Sequence, residues 1–165
     1  MKRFTNIIQK AKTSKLHLRL LNLGIKQMIP FNKPHGFKVL EIGDNHLLTY
    51  APYKKSNFNH IKGIHACALA TLSELTTGLL LMSRLDSANY RIIMQSFEVE
   101  YLYQAKKSVT ARYEISDEWL NTEVITPLQT QDSVTIPCPV EIKDEDGNVI
   151  TKAVINWQIK AWSKV

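Results

Sequence analysis

Cysteine is scarce: two in 165 residues, Cys67 and Cys138. They form no CxxC pair and no zinc-ligand spacing, so neither a disulfide scaffold nor a structural zinc site is expected. A reduced, cytoplasmic protein fits this usage. No apolar run of about 18 residues is free of charge, so no membrane span is expected. Residues 64–82 come nearest, but they carry His65 and Glu74. There is no GxSxG elbow, which argues against a serine-hydrolase route. Zinc-finger, helix-turn-helix and RNP-like patterns are missing, which argues against nucleic acid. The five histidines (His17, His35, His46, His60 and His65) include no helical i, i+4 pair, so no metal is expected. Repeats, low-complexity tracts and interior linkers are also missing, and residues 1–165 read as one domain.

Hydrophobic residues make up 44% of the chain, enough for a sizeable core. The net charge is +6, with a pI near 9.3. Nucleic acid, an anionic membrane or a phosphate-bearing ligand would each suit that balance. The cations are dispersed except at the N-terminus. There, residues 1–23 read as one basic helix, with Phe4, Ile7, Ile8 and Ala11 on a single stripe. A membrane-surface or targeting helix would look like this, and so would a helix packed on the domain, which is the preferred reading. Gly24 is placed to stop it, and Pro30 and Pro34 mark an irregular connector. Residues 1–29 are thus a helical extension and residues 30–162 the core.

Strands are expected at residues 36–42 and 46–52 around a Gly43-Asp44-Asn45 turn. Others are expected at 90–104, 107–116, 133–143 and 149–162, the last two joined by the Asp144–Asn148 turn. The 90–104 strand suits a sheet edge paired across a dimer. Pro137 and Pro139 assign the start of 133–143 to an edge or bulge. Residues 117–132 are polar, with a short helix at 118–124 and an interruption at Pro127.

The longest helical pattern lies within residues 59–82, NHIKGIHACALATLSELTTGLLLM. Leu69, Leu72, Leu75, Leu79 and Leu80 form its large face. Cys67, Ala70, Thr71, Glu74, Thr77 and Gly78 form a small face. No Lys or Arg lies three or four residues from Glu74. A buried, unpaired carboxylate resists ionisation and is a candidate base or nucleophile. A surface helix with Glu74 in water fits the periodicity equally well. The free N–H groups of the helix's first turn, near His65 and Ala66, suit a developing oxyanion. His65 and Glu74 are about 13.5 Å apart along the axis, so one reaction using both needs a composite dimer site.

Asn59, His65 six residues on, and Glu74 nine further on carry a resemblance. The spacing resembles hot-dog-fold acyl-CoA thioesterases of the phenylacetate-pathway type, whose motif is Asn, then His-Gly-Gly, then an acid. The segment is still more similar to an uncharacterised branch reading NHxGxxHxxAL…E. Residues 101–107, YLYQAKK, resemble the family's YL-x-PA-x-x-G stretch. The resemblance implies an α+β hot-dog fold, a curved antiparallel sheet wrapped around a central helix, preceded here by an extra N-terminal helix. It implies hydrolysis of an acyl-CoA or acyl-carrier-protein thioester by a homodimer or a dimer of dimers. No cofactor is implied beyond coenzyme A in the substrate. Glu74 would be base or nucleophile, Asn59 would hold water or the carbonyl, and the Ala66 N–H would polarise the carbonyl. His65 would shape the helix start, and Gly63 would permit a close approach. Cys67, Ala70, Thr77 and Gly78 would line the substrate space.

Three residues depart from the pattern: His65-Ala66-Cys67 replaces His-Gly-Gly, Glu74 replaces the commoner Asp, and Lys62 replaces a Gly of the related branch. A non-catalytic acyl-binding or dimerisation module is the alternative. A hydratase would pair an acid with a His at a different spacing. Cys67 as a nucleophile lacks a basic partner nearby in sequence, so packing explains it better. Arg84, Arg91, Lys106 and Lys107 are placed either for coenzyme A phosphates or for ordinary solvation, and solvation is preferred for each.

Overall fold

The computed structural model describes residues 2–86 and 88–164, and side chains from residue 6 onward. Met1, Ser87, Val165 and the Phe4 side chain, which the expected extension, connector and stripe include, lie outside that description. The N-terminal extension is two helices, α1 (Lys2–Ala11) and α2 (Lys15–Met28), where the sequence suggested one. Ser14 breaks the run. Its backbone is extended, and its hydroxyl accepts the His17 N–H as an N-cap. Gly24 lies inside α2 and does not stop it. Burial of Leu21 and Ile25 on either side outweighs the roughly 1 kcal/mol cost of a helical glycine. The helix ends before Pro30, which starts a short 3-10 turn, Pro30–Asn32.

Six strands follow: β1 (Lys38–Ile42), β2 (His46–Ala51), β3 (Tyr90–Tyr101), β4 (Val109–Glu114), β5 (Ser133–Asp144) and β6 (Val149–Ala161). They form one antiparallel sheet in the order β1-β2-β4-β5-β6-β3. Inward residues of β5 and β6 alternate with outward ones, as a sheet with one covered face requires.

β5 pairs with β4 only up to Glu141, and its first half is bonded to β6 alone. Pro137 and Pro139 fall in that open half, where no neighbour needs their N–H. A short helix, Asp117–Leu120, continues through a wider turn, Asn121–Ile125, into Thr126–Leu128. Pro127 therefore extends this segment instead of interrupting it.

The central helix, α3 (Ala66–Arg84), crosses the concave face of the sheet. Leu72, Leu80 and Leu81 are fully enclosed with Ile136, Ile142, Ile150, Ile155 and Ile159. Each such side chain contributes about 1.5–3 kcal/mol of burial. The hydroxyls of Thr49 (β2) and Thr76 (α3) meet at 2.6 Å inside this core, and Thr76 also donates to the Leu72 carbonyl. The long apolar helix is thus a buried core element. On α3 the side left partly open is narrower than the small face read from the sequence. Cys67, Thr71 and Glu74 reach solvent, whereas Ala70, Thr77 and Gly78 are buried.

Candidate functional site

The start of α3 is held by a clamp of loop contacts. The Ile64 N–H donates to the Ala105 carbonyl and the His65 N–H to the Asn57 carbonyl. His65 is the N-cap, and its Nδ1 accepts the Cys67 N–H at 3.0 Å. The neutral ring therefore carries its proton on Nε2. The Ala68 and Leu69 N–H groups reach the His65 carbonyl. The Ala66 N–H alone in this turn meets no acceptor among the described residues. It points out of a helix N-terminus, where partial positive charge collects.

Asn59 is held by its own loop. Its Oδ1 accepts the N–H groups of Ile61 and Gly63, at 3.1 and 2.9 Å. Its Nδ2 has no partner among the described residues. Lys62 follows at φ +59°, the left-handed conformation that glycine adopts freely, which explains the glycine at this place in the related branch. Gly63 makes a close approach, but to protein: a Cβ there would sit 3.1 Å from the Gln104 side chain and 3.4 Å from the Ala105 carbonyl. Asn59 and Ala66 share a cavity of about 290 Å³ with Tyr101, whose hydroxyl donates to the Ala66 carbonyl at 3.1 Å. His65 and Cys67 open on the other side, into about 230 Å³ beside Phe31, His35 and Thr71.

Glu74 lies two turns further along α3 and is half-buried. No hydrogen bond or ion pair reaches its carboxylate among the described residues. Burial raises its pKa above the ordinary carboxylate range. It opens into a third cavity, about 250 Å³, walled by Ile25, Met28, Ile29, Gly78 and Trp157. Asn32 lines the same space. It is 5% exposed, and its Oδ1 has no partner among the described residues. No sequence signal singled out Asn32, a polar residue in a proline-flanked connector.

Two expected substrate-lining residues, Ala70 and Thr77, do not reach the Glu74 cavity. Ala70 is buried. The Thr77 hydroxyl accepts the Trp157 Nε1–H at 3.0 Å and donates to the Ser73 carbonyl. The room above Gly78 is filled by the Trp157 ring, 2.7 Å from where a Cβ would stand. Small residues on this face therefore admit the protein's own tryptophan. Gly78 still lines the Glu74 cavity, as expected of a substrate-lining residue.

Of the basic residues, Arg84 pairs with Asp117 and reaches the Asp44 carbonyl. Lys107 pairs with Asp146, and Arg91 reaches Gln158. These contacts engage all three cations within the chain. Cys138 is enclosed in the core, and burial pushes its thiol up to about 11, an inert state. Among the described residues no three His, Cys, Asp or Glu side chains converge as metal ligands would. A wider, open cleft of about 760 Å³ lies where β4 and β5 diverge, on a different face from Glu74.

A curved antiparallel sheet wrapped around one long helix is the hot-dog fold. Solved structures share it. A protein of unknown function from Pseudomonas aeruginosa, described as a probable thioesterase, superposes with a TM-score of 0.80 at 22% identity, over 87% of this chain and 95% of that one. A thioesterase from Haemophilus influenzae gives 0.69 at 14% identity, over 92% and 94%. A thioesterase from Pseudomonas aeruginosa, solved as a mutant, gives 0.69 at 14% identity, over 92% and 99%. The chain belongs to the family described as a domain of unknown function, DUF4442, whose model matches residues 18–159. No curated protein matches.

Proposed function

We propose that the chain hydrolyses an acyl thioester, carried on coenzyme A or on an acyl carrier protein, with Glu74 as general base or nucleophile. The observation that carries this reading is Glu74: an unpartnered, half-buried carboxylate facing an apolar cavity on the central helix. As base, it takes a proton from water, and the water oxygen attacks the carbonyl carbon. The oxyanion forms against an N–H such as that of Ala66, the C–S bond breaks, and the thiolate leaves and is protonated. The solved neighbours described as thioesterases support the same chemistry.

Ala66 and Glu74 sit on different cavities of one chain, eight residues or about 12 Å apart along α3. The reading therefore includes a homodimer in which the helix start of one subunit meets Glu74 of the other. Asn32 is the amide that shares Glu74's cavity and would hold the attacking water. Asn59, whose oxygen is used by its own turn, has only its Nδ2 left to offer at the helix start. The acyl group would occupy the cavity under α2. Its roughly 250 Å³ lies below the range of drug-sized pockets, about 300–1,000 Å³, which favours a short chain or a single ring.

The test is thiol release from a panel of short, long and aromatic acyl-CoA and acyl-carrier-protein esters, by the wild type and by Glu74→Ala. Turnover falling by about 10²–10⁴ in a folded variant is the expected result. No turnover of any ester by the folded wild type would overturn hydrolysis and leave an acyl-binding module.

A further inference from the structure

Residues 1–40 contain nine of the chain's 21 Lys and Arg and none of its 15 Asp and Glu. The remaining residues carry 12 basic against 15 acidic, so the whole positive excess belongs to the extension and its connector. The extension also exposes apolar side chains that the core does not use. On α2, Leu16 is 63% exposed, Leu23 54% and Leu20 42%, a spacing that puts them on one stripe. Met28, Ile29 and Phe31 continue it past the helix end, with Phe31 65% exposed. Lys15, Arg19 and Lys26, all exposed, form a second stripe directly beside the leucines. The opposite face is fixed: Ile8, Ala11, Leu21 and Ile25 are buried against the domain. This is a rigid platform, apolar and cationic at once, with both its inner and outer faces hydrophobic.

We propose that this outer face docks on an anionic lipid bilayer. The leucines and Phe31 enter the interface, and Lys15, Arg19 and Lys26 reach up to the headgroups with their stems along the apolar surface. Charge chooses this occupant over a second copy. Two α2 faces paired antiparallel about a two-fold axis would set a like-charged stripe against itself, and paired either way they offer the cations no carboxylate, since residues 1–40 hold none. The exposed leucines choose it over nucleic acid, whose phosphates offer them nothing. Met28 and Ile29 belong both to this patch and to the wall of the Glu74 cavity. The proposal stands whether or not the chain hydrolyses thioesters.

The test is co-sedimentation of the full chain with phosphatidylcholine vesicles, with and without phosphatidylglycerol, at low and high salt. Binding only to the phosphatidylglycerol vesicles, lost at high salt, is expected. The double variant Leu20→Glu/Leu23→Glu should abolish it. Arg19→Gln and Lys26→Gln should each weaken it about fivefold, from the roughly 1 kcal/mol that one cation near an anionic surface is worth. Circular dichroism confirms that the variants remain folded. No sedimentation with anionic vesicles overturns the proposal, and so does binding that the variants leave unchanged. Sedimentation velocity on the same samples reads the rival occupant. An oligomer that the leucine variant dissociates, with vesicles ignored by the wild type, would assign this face to copies of the chain instead.

Discussion

A carboxylate that meets neither a cation nor an N–H donor resists ionisation in proportion to the water it has lost. Glu74 is in that position, and the sign of its effect on stability follows. Its folded pKa lies above its unfolded one, so its contribution to stability is fully present in acid and is lost as pH rises through the folded value. Urea midpoints measured across pH should show wild type falling behind Glu74→Gln between the ordinary carboxylate range and neutrality. Gly78 makes a packing prediction. An alanine there gains helix propensity, about 1 kcal/mol, but drives a methyl group into the Trp157 ring, which its bond to Thr77 holds in place. Gly78→Ala should lose up to about 2 kcal/mol net in thermal or denaturant melts, with a shift in tryptophan fluorescence. Glu74 was legible in the sequence because a charge interrupts an apolar period. Asn32 was not, because its meaning comes from the Pro30–Asn32 turn sharing a cavity with Glu74, some 40 residues away in sequence.

Among the elements, α3 was readable nearly to its ends, since its residues favour helix and its leucines keep one period. Its faces were less so. A helix enclosed by a curved sheet is buried on most of its circumference, and periodicity alone cannot say that Trp157 fills the small side. The helix start rests on one side-chain cap. His65→Ala should cost about 1 kcal/mol in denaturant unfolding and free the Cys67 N–H. The extension reads as one helix because Phe4, Ile7, Ile8 and Ala11 share a stripe and no proline interrupts residues 1–23. Ser14 adopts the cap conformation there, and the chain turns back on itself. Gly24, a stop signal in isolation, is overridden by the burial of its neighbours.

At the scale of the whole molecule, the strand order leaves β3 as a twelve-residue edge with Ile93, Phe97 and Tyr101 exposed along it. Such an edge invites a partner strand. Sedimentation velocity should give a dimer for the wild type and a monomer for Phe97→Asp; a wild-type monomer at micromolar concentration would remove the composite site. Hairpin turns, alternating strands and one long helix made an α+β domain legible, and the resemblance carried by Asn59, His65 and Glu74 implied its hot-dog arrangement. Any pairing of two copies would rest on exposed side chains, whose partners no single-chain pattern names.

The account's central claim is that the Glu74 carboxylate acts on the substrate. The direct measurement is kcat/KM for the most reactive thioester against pH, with wild type and the isosteric Glu74→Gln. The account predicts that the variant loses at least 10² in rate while remaining folded, and that the wild-type rate falls on the acid side at a pH above the ordinary carboxylate range. A variant that keeps wild-type turnover, with an unchanged acid limb, would contradict it.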